Sequence, residues 1–464
     1  MNLEQMLLLA APLLPTLAFV LLALRAWVGK KPSEVFISTT SGLALTGSAL
    51  SVIGLLLHML VTGKSQVRLQ TIVWFGLGHY HFPITLIADQ LSVPFALLTT
   101  SLLFITGVFS RSYLHRERGY LRYYLLLCMF AAAALLLELA GSLDVAYFGW
   151  ELVGLASTLL IAFFHERKGP VRHAFRAYIT YRVCDVGFLA AAVWLHHTVG
   201  GTASPHHDTA WWSIELPTRA LDVAVVGTLL LWASLGKAGQ VPFGGWLPRA
   251  MEGPTPSSAI FYGAISIHLG PFLLLRAADL IHSSLWVSGL VVAVGLTSAV
   301  VSTLSGRVQT DIKSRLAYAS MAQVGIIFVE IGLGFHYLAI VHVAGHAVLR
   351  CLQILQSPSI VYDSFRFERK LGTALPKLGQ HFDSWLPERA QLWLYQSSLE
   401  RGHWDAILQD YIVRPIVTMA RQIDHLQKVA HDTLLGTSDD DDTSQATPLT
   451  SDPSVNAKPV RVKS

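Results

Sequence analysis

The sequence predicts an all-α, polytopic membrane protein of about eleven transmembrane helices, and three observations carry that expectation. Asp, Glu, Lys and Arg make up only 14% of the 464 residues while 52% are hydrophobic, against about 25% charged in an ordinary soluble domain. Apolar stretches of about 20 residues, long enough to cross hydrocarbon, recur over the first three quarters of the chain. Basic residues collect in alternate short connections, and the net charge of +4 forms no basic, aromatic-interleaved patch, which argues against a nucleic-acid footprint.

Taken in order, a first span near 6–26 follows Met-Asn-Leu-Glu-Gln, which lacks a basic lead and a small-residue cleavage site; it is expected to stay as a span rather than act as a signal peptide. Arg25, Lys30 and Lys31 follow it, whereas the second span, near 36–62, leads only to Lys64 and Arg68. The third, near 88–110, is followed by Arg111, Arg116, Arg118 and Arg122, and then come the fourth and fifth, near 122–140 and 143–164. Arg167, Lys168, Arg172 and Arg176 precede the sixth, near 177–199, and Arg219 precedes the seventh, near 220–240. Arg249 leads to the eighth, near 255–276, which ends on Arg276. The ninth, near 284–304, is followed by Arg307, Lys313 and Arg315, and the tenth and eleventh lie near 316–335 and 336–356. Because the connections after odd-numbered spans are the basic ones, the N-terminus is expected outside and the C-terminus in the cytoplasm.

Residues 1–356 thus form the predicted transmembrane bundle. From 357 to 435, charges such as Arg366, Glu368, Arg389 and Arg401 alternate with Phe367, Trp385, Trp393 and Leu394, a pattern expected of amphipathic surface helices. Residues 436–464, with four consecutive aspartates and almost no large apolar side chains, are expected to be disordered.

Ionisable groups inside spans are expensive and each is a functional candidate. Glu151 stands in Phe-Gly-Trp-Glu-Leu-Val-Gly-Leu, and Lys237 in Ser-Leu-Gly-Lys-Ala-Gly-Gln-Val-Pro-Phe. Neither has an opposite charge at helical spacing on its own span, so each requires water or a partner on another helix. Arg182 and Asp185 are spaced i, i+3 and can neutralise each other. His268, Glu330, His342, His346 and Arg350 complete the set. The glycines and prolines that follow Lys237 predict a broken seventh helix.

His342 and His346 have an i, i+4 spacing that can bind metal, but no Glu follows the first as in His-Glu-x-x-His, and a proton-relay or packing role fits better. Three scattered cysteines, Cys128, Cys184 and Cys351, offer neither a disulfide framework nor a zinc knuckle. Phosphate-cradle and dinucleotide motifs are absent, so no cofactor and no metal are expected, and the chain is read as a transporter subunit, not an enzyme.

The stretches around Glu151 and Arg182, Lys237 with Met-Glu-Gly-Pro-Thr-Pro-Ser-Ser-Ala, and Gln-Thr-Asp-Ile-Lys-Ser-Arg-Leu-Ala-Tyr-Ala-Ser together resemble the proton-conducting antiporter-like subunits of complex I and Mrp antiporters, over roughly residues 85–356. The resemblance implies an inverted-repeat antiporter-like bundle in which Glu151 and Lys237 are the proton-transfer pair and Arg182 and Asp185 a modulating ion pair. His268, His346 and Arg350 would lie on the onward path. This chain departs from the family in two places: Tyr262 stands where a histidine is common, with His268 about two turns on, and Arg350 replaces a lysine.

In its shortened form the chain looks most like the DabB-type membrane subunits of inorganic-carbon accumulation systems. That likeness implies a bacterial inner membrane, a large zinc-containing DabA-type partner resembling carbonic anhydrases, and proton flow that drives CO2 hydration to bicarbonate. The alternatives are a proton- or sodium-translocating subunit of a complex I (NADH-quinone oxidoreductase) or Mrp assembly, and a non-conducting membrane scaffold.

Overall fold

The computed structural model describes residues 2–29, 32–77, 80–199, 216–357, 369, 385–408, 410–411 and 414–435, and the chain divides into two compact units, Met1–Asp405 and Ala406–Ser464. The first unit begins with α1 (Leu3–Trp27) and α2 (Glu34–Thr62). Ser33 starts α2 by accepting the Phe36 N–H, and Gly63 ends it in the left-handed conformation that glycine adopts without strain. Next come α3 (Ser92–Tyr113), α4 (Tyr120–Glu138), α5 (Leu143–Ile161), α6 (Lys168–Val199) and α7 (Ala220–Ala238). An interrupted α8 (Thr255–Arg276), α9 (Leu285–Arg307), α10 (Ile312–Gly332) and α11 (His336–Leu355) complete the bundle.

Ten of these eleven are long and apolar enough to cross a membrane, among the described residues. The exception is α10, which carries Lys313 and Arg315 in its first turn and Glu330 near its end. All eleven overlap the expected apolar runs, and α6 begins earlier than expected, at Lys168 instead of near 177.

Two features depart from the expected all-α bundle. The connection between α2 and α3 is an antiparallel hairpin, β1 (Val67–Leu77) and β2 (Tyr80–Ala88). Val67 and Leu69 are buried while Arg68 between them is not, a period-2 alternation that favours a strand over a loop. Backbone bonds from Ile87 N–H to the Leu139 carbonyl and from Gly141 N–H to the Thr85 carbonyl, both 2.8 Å, stitch the hairpin to the turn between α4 and α5.

The second concerns the break. Helix α7 stops at Gly239 in the left-handed conformation, and the chain continues through buried short turns, Gly244–Trp246 and Pro248–Glu252, instead of resuming the helix. The interruption within a span lies in α8, where a π-helical stretch, Ser258–Ala264, and a tight turn, Ser266–His268, precede regular helix.

Helices approach closely where side chains are missing, the usual device in membranes. A Cβ at Gly187 of α6 would lie 2.6 Å from the Leu229 carbonyl oxygen of α7, and one at Gly236 of α7 would collide with Cys184 of α6. The segment leading to Asp405 contains α12 (Glu388–Leu399), which packs on α9. In the second unit, α13 (Arg414–Leu435) presents Met419, Ile423, Leu426 and Val429 on one face, as an amphipathic helix does. The acidic tail from 436, expected to be disordered, lies outside the described residues.

Candidate functional site

Helices α5, α6 and α7 build a charged cluster. Arg182 of α6 stands at its centre: one guanidinium nitrogen pairs with Glu151 of α5, and the other donates to Asp185 at 2.8 Å. Asp185 also accepts the Trp150 indole N–H at 2.5 Å, so its carboxylate is held by two donors in a buried setting. The second Glu151 oxygen, Oε1, has no protein partner.

Lys237 of α7 is completely buried, which its approach to α6 through Gly236 makes unavoidable. Its Nζ donates to the Trp150 carbonyl at 3.0 Å and lies 4.8 Å from the centres of both the Trp150 and Tyr181 rings, an aromatic box suited to a cation. A side chain at Gly154 would come within 3.0 Å of that Nζ and 3.5 Å of the Arg182 guanidinium, so this glycine leaves the space in which amine and guanidinium face each other.

The expected direct contact between Glu151 and Lys237 is therefore not made. Arg182 is the partner of the acid, and the amine touches the backbone of Trp150, the residue next to it. Exposure differs as well: the side chains of Glu151 and Arg182 are 20% and 35% exposed, while Lys237 is sealed.

Tyr181 leads away from this box. Its hydroxyl lies 3.2 Å from Ser157 Oγ, and Ser157 is bonded to Tyr262, whose hydroxyl donates to the Ser157 carbonyl at 3.0 Å. Tyr262 thus ties α8 to α5.

A second cluster joins α8, α10 and α11. His268 Nδ1 bonds the Ala264 carbonyl, which can only accept, so with neutral rings His268 Nε2 accepts from His346 Nδ1, 2.9 Å away. That assignment leaves His346 Nε2 as a buried acceptor, and it has no partner. His342 turns elsewhere, to Glu330 Oε1 at 2.8 Å and Gln323 at 3.1 Å, so the i, i+4 histidines do not converge on one point. Arg350, one turn beyond His346, donates to Gln353 at 2.8 Å. No group of three or more His, Cys, Asp or Glu arranged to hold a metal occurs among the described residues.

Two ionic features escaped the sequence reading. Glu138 at the end of α4 is buried and accepts the Thr99 hydroxyl at 2.6 Å; its position in Leu-Leu-Leu-Glu-Leu, inside a span, was a sufficient signal. Arg276, on which the eighth span ends, is buried and pairs with Asp89, which also receives the Leu91 and Ser92 N–H groups. A bond across 187 positions leaves no local trace.

Comparison with known proteins matches residues 140–374 to the family described as NADH:quinone oxidoreductase/Mrp antiporter, TM, and residues 74–124 to NADH-ubiquinone oxidoreductase (complex I), chain 5 N-terminus. The chain is 34% identical over 288 residues to NADH-quinone oxidoreductase subunit L of Pseudomonas aeruginosa, covering 62% of this chain and 47% of the relative. It is 31% identical over 359 residues to subunit L of Escherichia coli, covering 75% and 56%. Among solved structures, the Mrp complex from Dietzia sp. DQ12-45-1b matches with a TM-score of 0.62 and 27% identity over 74% of this chain and 37% of that one. The chain spans about half the length of the curated relatives it matches.

Proposed function

The chain belongs to the NADH:quinone oxidoreductase/Mrp antiporter family of membrane subunits, and on that premise we propose that it is the proton-translocating, antiporter-like subunit of a multi-subunit assembly of the complex I or Mrp type. The observation that carries this reading is the sharing of one guanidinium, Arg182, between Glu151 and Asp185, beside a sealed lysine. A proton arriving on the partly exposed Glu151 cancels its charge. Arg182 then keeps only Asp185 as a partner, and the guanidinium, the remaining carboxylate and the Lys237 ammonium together carry a net positive charge. In a site with little water the repulsion is strong enough to expel a proton. The Tyr181, Ser157 and Tyr262 hydroxyls and the open Nε2 of His346 are acceptors for its onward movement. Arg350 does not release a proton and serves as a fixed charge.

The named relatives favour this assembly over the inorganic-carbon reading with its DabA-type zinc partner, and the same residues would conduct in either setting. In this proposal the protein sits in a bacterial inner membrane with its N-terminus outside. Copurification from native membranes followed by proton uptake into liposomes tests it. Many co-purifying subunits are expected, and Glu151→Gln is expected to lower flux about tenfold at equal abundance. Unchanged flux overturns the mechanism, and one large zinc protein as the sole companion restores the carbon reading.

A further inference from the structure

Two histidines outside both polar clusters meet at the end of the bundle opposite Arg307. Beyond Arg276 the chain forms a short helix, Ala278–His282, and turns into α9, which runs from Leu285 to that basic end. His336 opens α11. Although 54 positions separate them, the rings of His282 and His336 face each other, with centroids 4.9 Å and Nε2 atoms 2.9 Å apart. His282 is exposed and His336 half-buried. Ser288 Oγ donates to the Ile281 carbonyl at 3.0 Å and so turns a lone pair toward His282 Nδ1, 3.5 Å away. That contact places the His282 proton on Nδ1 and leaves its Nε2 a lone pair aimed at the other ring. Gly334, at φ +88°, shapes the turn into α11; a Cβ there would lie 3.7 Å from His282 Cε1, so the turn backs the ring edge that carries the aimed nitrogen.

Two ring nitrogens at this separation need a proton or a cation between them. In a pair open to solvent, water competes with a neutral N–H···N bond, which therefore does little to hold the rings together. A divalent transition metal does more. Imidazole nitrogens bind zinc at about 2.0–2.1 Å; at that length, nitrogens 2.9 Å apart subtend an angle of about 90° at the ion, and the tetrahedral angle needs a separation of about 3.3 Å. The difference is within the reach of small rotations of two surface rings. A metal-bound histidine usually donates its other N–H to an oxygen, and Ser288 is placed to receive it. Asp279 stands one turn before His282 on the same short helix, is exposed, and its charge acts on His336. Rotation of its carboxylate supplies a third ligand, and water completes the coordination.

We propose that His282, His336 and Asp279 bind a divalent transition metal of the zinc class, and that the ion staples the segment beyond α8 to the start of α11. The test uses the full chain in its purified assembly, stripped with a chelator, with Cu2+ as a spectroscopic probe and Zn2+ as its competitor. Native and variant assemblies are compared by difference, so that metal held by other subunits cancels. Electron paramagnetic resonance is expected to show Cu2+ coupled to two imidazole nitrogens, with the signal displaced by Zn2+, and Zn2+ is expected to raise the unfolding temperature. His282→Gln and His336→Gln are each expected to bind Zn2+ at least about tenfold more weakly and to lose that rise in temperature. The double variant is expected to bind no more weakly than either single one, because a chelate needs both rings. Coupling to a single nitrogen, single variants that bind as tightly as the native chain, or losses that add in the double variant would each overturn the proposal. Unchanged affinity in Asp279→Asn would remove the carboxylate from the ligand set.

Discussion

The two polar regions of the bundle are held together by opposite means. Around Lys237, fixed charges dominate: a guanidinium, two carboxylates and an ammonium share α5, α6 and α7, and Arg182 is the hinge of the network. Around His346, rings form a short ordered file from His346 Nε2 through His268 to a backbone carbonyl, and charge stands to one side on Arg350 and Glu330. The first arrangement can change which charges pair; the second fixes two neutral rings in order and leaves one acceptor, His346 Nε2, open. The difference teaches that one bundle holds two kinds of polar site, an ionic one whose pairing can be rearranged and an uncharged one fixed by hydrogen bonds between rings.

The sharpest way to break this contrast is Lys237→Arg, which keeps the charge but removes the ability to release a proton. Flux in reconstituted vesicles is expected to fall by at least about 100-fold. Near-normal flux would make Lys237 a fixed charge like Arg350 and erase the distinction. Next in size is His346→Asn, which preserves a polar group but cuts the ring file. A loss of about tenfold is expected in the same vesicle flux assay, with abundance unchanged. A variant as dead as Lys237→Arg would show instead that both regions make one indivisible unit.

The smallest effect on conduction is expected at the Asp89–Arg276 pair, next to the hairpin, which offers an ionic control with no place in the pathway. Burial pushes the Asp89 carboxyl up, but Arg276 and the N–H groups of Ser92 and Leu91 outweigh it and hold the group below its ordinary value. A depressed carboxylate contributes stability that is complete above its unfolded pKa, near 3.9, and is lost as pH falls through the lower folded value. Thermal unfolding is therefore expected to owe nothing to this pair's titration between pH 8 and 5, and to lose its contribution only below about pH 4. Asp89→Asn leaves Arg276 buried and unpaired, for a cost of about 3 kcal/mol at neutral pH with flux per folded assembly unchanged. A flux defect would extend the proton route to the hairpin.

Much of the bundle was legible in advance because apolar length is a local property: each of the eleven helices sits on its own run of hydrophobic residues. Glu151 and Lys237 stood out for the same reason, as charges that their own spans could not neutralise. Their actual neighbours were not legible. That Arg182, rather than Lys237, meets Glu151 depends on how α6 packs between α5 and α7, which no pattern within a single helix records. The hairpin was hidden by reading Lys64 and Arg68 as loop markers, although Val67, Arg68 and Leu69 alternate.

The most direct measurement of the central claim, that Glu151 and Arg182 act as one switch, is a double-mutant cycle in proton flux with Glu151→Gln, Arg182→Gln and the pair combined. Groups that work as a unit are not additive, so the double variant is expected to conduct as the weaker single variant does, within about twofold. A flux reduced by the product of the two single losses would mean that the acid and the guanidinium act independently, and would contradict the proposal.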